Sequence, residues 1–293
     1  MPVNSSSEEP LRSRLRWGRI SRGVLLAGVI PYVGITALMT LFQRQMLYHP
    51  VSVPSLQAAD LGMDGQGIED VELTTGDGFT IRGWLLTRGA QQEASSRNLV
   101  LYFPGNASDR LGRLDDLSSI ASCGFDVLIF DYRGYADSEG LPSETALTSD
   151  AKQIWEFATQ QLQYSQDRIV IYGESLGGGV ALSLWSGPGK HEPRALILKS
   201  TFTSMADTVS WHYPIFPFRW LLLDQWPSIE RIASVPCETL IFHGTADAVV
   251  PFEHGQILAD MNEHARLIEM PGGTHNAIPV QERARHLRRL ATP

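Results

Sequence analysis

Three side chains in this chain have the types and the order needed for acyl transfer: Ser175, then Asp247, then His275. A serine hydroxyl is a poor nucleophile near neutral pH. It needs a base to take its proton, and the base needs an acid to hold its tautomer. Ser175 stands in Gly173-Glu174-Ser175-Leu176-Gly177, after the run Val170-Ile171-Tyr172 and before a glycine-cushioned apolar stretch that reaches Leu182. Gly-x-Ser-x-Gly between a strand and a helix describes a sharp turn that lifts the serine out of a sheet. The glycines leave room for neighbouring backbone, and the serine accepts a strained conformation. Taken alone the motif is common, and a glycine-rich turn with an incidental serine explains it equally well.

The partners come from other strand ends, where reacting groups gather in open parallel sheets. Asp247 follows the apolar run Thr239–His243 in the loop Gly244-Thr245-Ala246-Asp247. His275 follows Arg266–Met270 in Pro271-Gly272-Gly273-Thr274-His275. Asp224 and Asp260 compete for the acid, but the first lies in an irregular segment and the second in a predicted helix. Of eight histidines, only His275 combines the right order, a loop and a strand end. A developing oxyanion needs two backbone N–H donors. Leu176 supplies one, and Asn106, in the turn Pro104-Gly105-Asn106-Ala107, is the natural second. Asn106-Ala107-Ser108 is also a glycosylation sequon, which a pocket-facing Asn106 would leave unmodified.

These loops require strands to carry them. Val71–Thr75 and Phe79–Thr87 bracket a hairpin at Gly76-Asp77-Gly78. Asn98–Phe103, Asp126–Phe130, Asp167–Tyr172, Ala195–Leu198, Thr239–His243 and Arg266–Met270 read as buried strands. Helical spacing covers Leu111–Ser122, Ser143–Gln163, Ser175–Ser186 and Pro279–Leu290. Strands alternating with helices predict an α/β domain, a mostly parallel sheet covered on both faces. Residues 202–227 break the alternation with Trp211, Tyr213, Phe216, Phe218, Trp220 and Trp226 among prolines. Packing of a long connection and a cap over the site explain this segment equally well.

The 293 residues carry a net charge of −8, although residues 1–22 hold five arginines against two glutamates. The rest is therefore strongly acidic, which argues against nucleic acid as a partner. Gly23–Phe42 runs for 20 residues without a charge, long enough to span a bilayer as a helix. No small-x-small cleavage site follows, and Arg44 interrupts instead. The arginines ahead of it keep the N-terminus in the cytoplasm and place the body outside, periplasmic or lumenal. The expected organisation is a basic cytoplasmic tail (1–22), a transmembrane anchor (23–43), a surface linker (44–69) and a catalytic domain (70–293). Cys123 and Cys237 form neither a disulfide framework nor a metal cluster.

Asp131-Tyr132-Arg133-Gly134-Tyr135-Ala136-Asp137-Ser138-Glu139-Gly140 resembles the Asp-Tyr-Arg-Gly-Tyr-Gly-x-Ser-x-Gly stretch of α/β-hydrolases. With Pro-Gly-Asn-Ala before it and the later Thr-Ser-Met and His-Gly-x-x-Asp runs, the chain is similar to the membrane-anchored, bud-emergence-type branch of alpha/beta-hydrolase-domain proteins. The resemblance covers residues 44 to about 290. It implies an α/β-hydrolase fold of about eight strands, one antiparallel, and an esterase, thioesterase or lipase that uses no metal or cofactor. On that pattern Ser175 matches the nucleophile, Asp247 the acid, His275 the base, and Asn106 and Leu176 the oxyanion donors. Pro104 stands where many members have His, and Ala136 where many have Gly. The expected substrate is a small or lipid-like ester. A serine-aminopeptidase-like hydrolase and a non-catalytic scaffold of the same fold are the rivals. A dehalogenase would carry Asp at position 175.

Overall fold

The structure, a computed structural model, describes residues 23, 25–63, 67–88, 93–187 and 189–292. The expected basic tail 1–22 lies outside them. The chain divides into two units, Met1–Met46 and Leu47–Pro293.

In the first unit a π-helical turn, Leu25–Val29, leads into α1 (Ile30–Leu41). Helix α2 (Gln43–Leu47) follows it. No helix among the described residues is long and apolar enough to cross a membrane. The apolar run 23–43 is thus not one uninterrupted α-helix. Pro31 sits in the first turn of α1, where its missing N–H is tolerated but cannot bond back into the preceding turn. Thr36 and Thr40 donate their hydroxyls to the carbonyls of Tyr32 and Thr36, both at 2.8 Å, so neither hydroxyl lacks a partner.

The second unit is organised by one sheet. Its strands are β1 (Ile68–Thr74), β2 (Thr80–Leu86), β3 (Leu99–Phe103), β4 (Asp126–Phe130), β5 (Ile169–Glu174), β6 (Ala195–Lys199), β7 (Glu238–Gly244) and β8 (Ala265–Met270). They lie in the order β1-β2-β4-β3-β5-β6-β7-β8. Only β2 runs against its neighbours, pairing antiparallel with β1 and β4, and the remaining pairs are parallel. Alternation explains the two cores. Leu99, Leu101 and Phe103 of β3 face one layer with Ile169 and Ile171 of β5, while Val100, Tyr102, Val170 and Tyr172 face the other. Every residue of β3, β4, β5 and β6 is buried, as central parallel strands require. This is the α/β-hydrolase fold.

The helices of this unit are α3 (Leu114–Ser122), α4 (Glu144–Glu156), α5 (Leu176–Leu182), α6 (Met205–His212), α7 (Phe218–Leu221), α8 (Ser228–Ile232), α9 (Phe252–Asp260) and α10 (Val280–Ala291). Helix α4 starts where Ser143 caps it, its hydroxyl accepting from the Ala146 N–H at 3.2 Å. The helix expected over 143–163 ends earlier, in a π-helical turn at Phe157–Gln161. The segment 202–227 serves partly as core, since Trp226, Phe202 and Phe218 are buried while Trp211 and Trp220 are exposed.

Part of the stretch expected as a surface linker, 44–69, packs into the second unit. From Leu47 onward it belongs to the second unit, and Tyr48, Leu56, Ala58 and Met63 are buried. Single polar anchors fasten it. The Leu56 carbonyl accepts from Trp84 Nε1 (3.1 Å) and Arg110 Nη2 (3.0 Å), and the Leu56 N–H donates to Asp137 (3.0 Å). A strap held this way has no hydrophobic period, so it resembles a linker in sequence. Cys123 and Cys237 are both free thiols.

Candidate active site

Ser175 occupies the turn between β5 and α5 with φ 51° and ψ −112°, the strained backbone expected of an elbow. Its amide donates to the Lys199 carbonyl (2.8 Å), and its carbonyl accepts from Thr201 Oγ1 (2.8 Å) and the Gly178 N–H (3.0 Å). The neighbouring strand β6 and the loop after it thus hold the turn in shape. A Cβ on Gly173 would stand 2.5 Å from the Gly177 carbonyl oxygen, and one on Gly177 would stand 2.0 Å from that of Phe103. Those two glycines let the helix descend onto the sheet directly behind the serine.

Strand ends β7 and β8 bring the other two side chains to it. His275 Nε2 lies 3.0 Å from Ser175 Oγ, and His275 Nδ1 lies 2.8 Å from Asp247 Oδ2. With the proton on Nδ1 donated to the carboxylate, Nε2 is left to accept the serine O–H. The second oxygen of Asp247 accepts the Val249 and Val250 N–H groups, both at 2.9 Å. Burial pushes the Asp247 carboxyl up. The bonds from His243, His275 and Val250 outweigh it and hold the group well below the usual carboxylate range. Ser200 Oγ donates to the His275 carbonyl at 3.0 Å and steadies the loop that carries the ring.

Asn106, in the turn after β3, lines the same pocket as Ser175. Neither its backbone N–H nor that of Leu176 meets an acceptor among the described residues. Its side chain is fully engaged. Nδ2 donates to the Leu47 carbonyl (2.7 Å), and Oδ1 accepts from Tyr135 O–H (2.6 Å) and the His49 N–H (3.1 Å). Pro104 offers no N–H, but its carbonyl accepts Tyr132 O–H at 2.7 Å. The Asp-Tyr-Arg-Gly-Tyr stretch therefore braces the turn with both tyrosines. Arg133 holds that stretch in place through Asp77 and the buried Asp150. Reading the sequence left these bracing roles unassigned, because nothing local marks a tyrosine hydroxyl as a tie to a distant loop.

A second unforeseen cluster lies beneath the serine. Glu174 is buried, with Oε1 2.8 Å from Lys199 Nζ and Oε2 accepting Tyr102 O–H at 2.8 Å. Arg113 Nη1 stands 3.3 Å from the same carboxylate. Burial raises the Glu174 pKa, but Lys199, Arg113 and Tyr102 together set it below the ordinary value. Glu174 and Lys199 pair directly across β5 and β6, so a charge ending each of two adjoining apolar strands was the available signal. A pocket of about 270 Å³ opens at Ser175 and His275, and Phe202, Met205, Val249, Asn106 and Arg113 are among the residues that line it.

Residues 94–231 match the Hydrolase_4 family, described as serine aminopeptidase, S33. The chain is 36% identical over 258 residues to the uncharacterized protein Rv2307c of Mycobacterium tuberculosis, covering 87% of this chain and 89% of that one. It is 35% identical over 190 residues to the lysophosphatidylserine lipase ABHD12 of Bos taurus, across 59% of this chain and 47% of the lipase. The chain belongs to the α/β-hydrolase superfamily. It is a serine hydrolase. The hydrolase also shares its fold with the Pyrococcus furiosus esterase Pf2001, at TM-score 0.63 and 20% identity over 83% of this chain and 96% of the esterase. The protein YfhR of Escherichia coli K12, uncharacterized, is 32% identical over 217 residues, 73% of this chain and 75% of its own length.

Proposed function

We propose that this hydrolase cleaves carboxylic ester or thioester bonds through an acyl-enzyme on Ser175. The observation that carries the reading is the continuous chain Ser175 Oγ–His275 Nε2 (3.0 Å) and His275 Nδ1–Asp247 Oδ2 (2.8 Å). His275 takes the serine proton as Oγ attacks the carbonyl, then returns it to the leaving group. Asp247 holds the tautomer and stabilises the imidazolium. The unused N–H groups of Leu176 and Asn106 bind the oxyanion. Water then attacks the acyl-enzyme, with His275 again as base, and Ser175 is regenerated.

The substrate is a small or lipid-like ester. The apolar side chains in the pocket lining and the likeness to a lysophosphatidylserine lipase both support that class. An aminopeptidase needs an unpaired carboxylate near the site to hold a free α-ammonium group. Glu174 is the pocket's carboxylate, and Lys199, Tyr102 and Arg113 already occupy it. The amide reading is therefore second. The proposal extends to a single-pass anchor over residues 23–43 with the catalytic unit outside the cytoplasm. Its support is a run of 20 uncharged residues behind five arginines, with Leu26, Ile30, Val33, Leu38 and Leu41 exposed.

The test is a panel of acyl esters, thioesters and aminoacyl amides of graded chain length, offered to wild type and Ser175→Ala. Ester or thioester turnover that disappears in the variant supports the reading. Turnover of amides alone, or of nothing by a folded protein, would overturn it.

The brace on the oxyanion turn gives a subtler prediction. Tyr135→Phe removes the hydroxyl that donates to Asn106 Oδ1 and accepts from the His49 N–H. We expect kcat to fall by up to about tenfold with KM little changed, because the turn is misplaced mainly for the transition state. Stability should drop by about 1–2 kcal/mol. Steady-state kinetics with thermal melts separate the two effects. A lower melting temperature with unaltered kcat would show that the brace serves folding alone.

A further inference from the structure

The buried Glu174 carboxylate, next to Ser175, has two cations against it. Glu174 is neutralised by Lys199, whose Nζ lies 2.8 Å from Oε1, and both groups are buried. Arg113 is thus a second cation on the same anion, at 3.3 Å from Oε2. Its guanidinium lies against the oxyanion turn, since a Cβ on Gly105 would meet Nη2 at 3.3 Å. The Arg113 Nε is buried and has no hydrogen-bond partner. The side chain is 19% exposed and lines the pocket, where Glu174 is the one carboxylate. A largely buried guanidinium that lines a cavity is suited to an anion, and its planar fork matches carboxylate and phosphate oxygens.

We propose that Arg113 is a specificity-determining residue that binds an anionic group, carboxylate or phosphate, carried by the ester substrate close to its scissile carbonyl. Phe202, Met205 and Val249, which line the same pocket, take the hydrocarbon portion. The inference rests on the serine-hydrolase reading of Ser175 and narrows its substrate class. The anion belongs either to the acyl part or to the leaving group, and the two require separate probes.

The experiment uses the full chain in detergent and two matched pairs of esters. p-Nitrophenyl butyrate against mono-p-nitrophenyl glutarate places the charge in the acyl part. A monoacylglycerol against the corresponding monoacylglycerol phosphate places it in the leaving group. The readout is the ratio of kcat/KM for the anionic member over the neutral one, which a general loss of activity does not move. Wild type should favour the anionic member about 10- to 100-fold in at least one pair. Arg113→Gln should collapse that ratio to about 1, and Arg113→Lys should hold it between the two. Added salt should lower the wild-type ratio, a reading that needs no variant. An equal ratio in wild type and Arg113→Gln, or a wild-type preference for the neutral member in both pairs, would overturn the proposal. Failure of the underlying reading looks different: neither member of either pair would be hydrolysed in a manner dependent on Ser175.

Discussion

Replacing His275 with alanine should lower kcat on a cleavable ester by roughly 10⁵- to 10⁶-fold, and Asp247→Asn should lower it by about 10⁴-fold. The first change removes the proposed base, leaving the Ser175 hydroxyl without the group that lies 3.0 Å from it. The second acts through the tautomer. Asp247 Oδ1 accepts two backbone N–H groups, from Val249 and Val250, so the oxygen of an asparagine would stay there. Its NH₂ would then face His275 Nδ1, which could only accept. The ring proton would move to Nε2, 3.0 Å from Ser175 Oγ, where an acceptor is needed. Both side chains end loops beyond strands β7 and β8, so the fold should survive either substitution. Steady-state kinetics on folded variants check this, and activity within tenfold of wild type in either would contradict it.

Gly177→Ala should be among the most damaging single substitutions to stability. The new methyl would stand 2.0 Å from the Phe103 carbonyl oxygen and 2.6 Å from that of Pro104. Neither oxygen can retreat easily, because β3 is paired on both sides, to β4 and to β5. Helix α5 must shift instead, and it carries Ser175 at its start. The expected cost is on the order of 4 kcal/mol or more, a large part of the ~5–15 kcal/mol that keeps a domain folded. Gly76→Ala is the matched control, since its methyl would meet nothing nearer than Gln153 Oε1 at 3.7 Å. Denaturant unfolding of both should show a large fall for the first and a small change for the second. A Gly177→Ala midpoint equal to wild type would contradict the packing argument.

The parts of this protein that were legible in its sequence share a physical cause. A strand buried on both faces must be continuously apolar, so Asp126–Phe130 could be bounded to the residue. Loops beyond such strands are where polar groups meet, and that rule pointed to Asp247 and His275, which the structure brings within hydrogen-bond distance of each other. The strap from Leu47 to Met63 escaped notice because it is fastened by isolated side chains rather than by a period. The apolar run is divided twice, near Pro31 at the start of α1 and again at Phe42, where length and lack of charge suggested one helix. Asn106 was expected for its backbone N–H. Its side chain proved to be the knot joining Leu47, His49 and Tyr135, residues up to 59 positions away in sequence. Such ties depend on which loops the sheet order places side by side. Glu174 and Lys199 went unassigned for a similar reason, since the register that pairs them is a property of the folded sheet, and Arg113 reaches Glu174 from the turn before α3.

The proposed mechanism stands on one covalent event at one oxygen. A fluorophosphonate reacts with an activated serine hydroxyl, displaces fluoride and remains attached to Oγ, so the labelled residue can be read by mass spectrometry of the digested protein. The account predicts a single adduct on the peptide containing Ser175, absent from Ser175→Ala and strongly slowed in His275→Ala. An adduct on any other residue, or labelling that persists in Ser175→Ala, would contradict it.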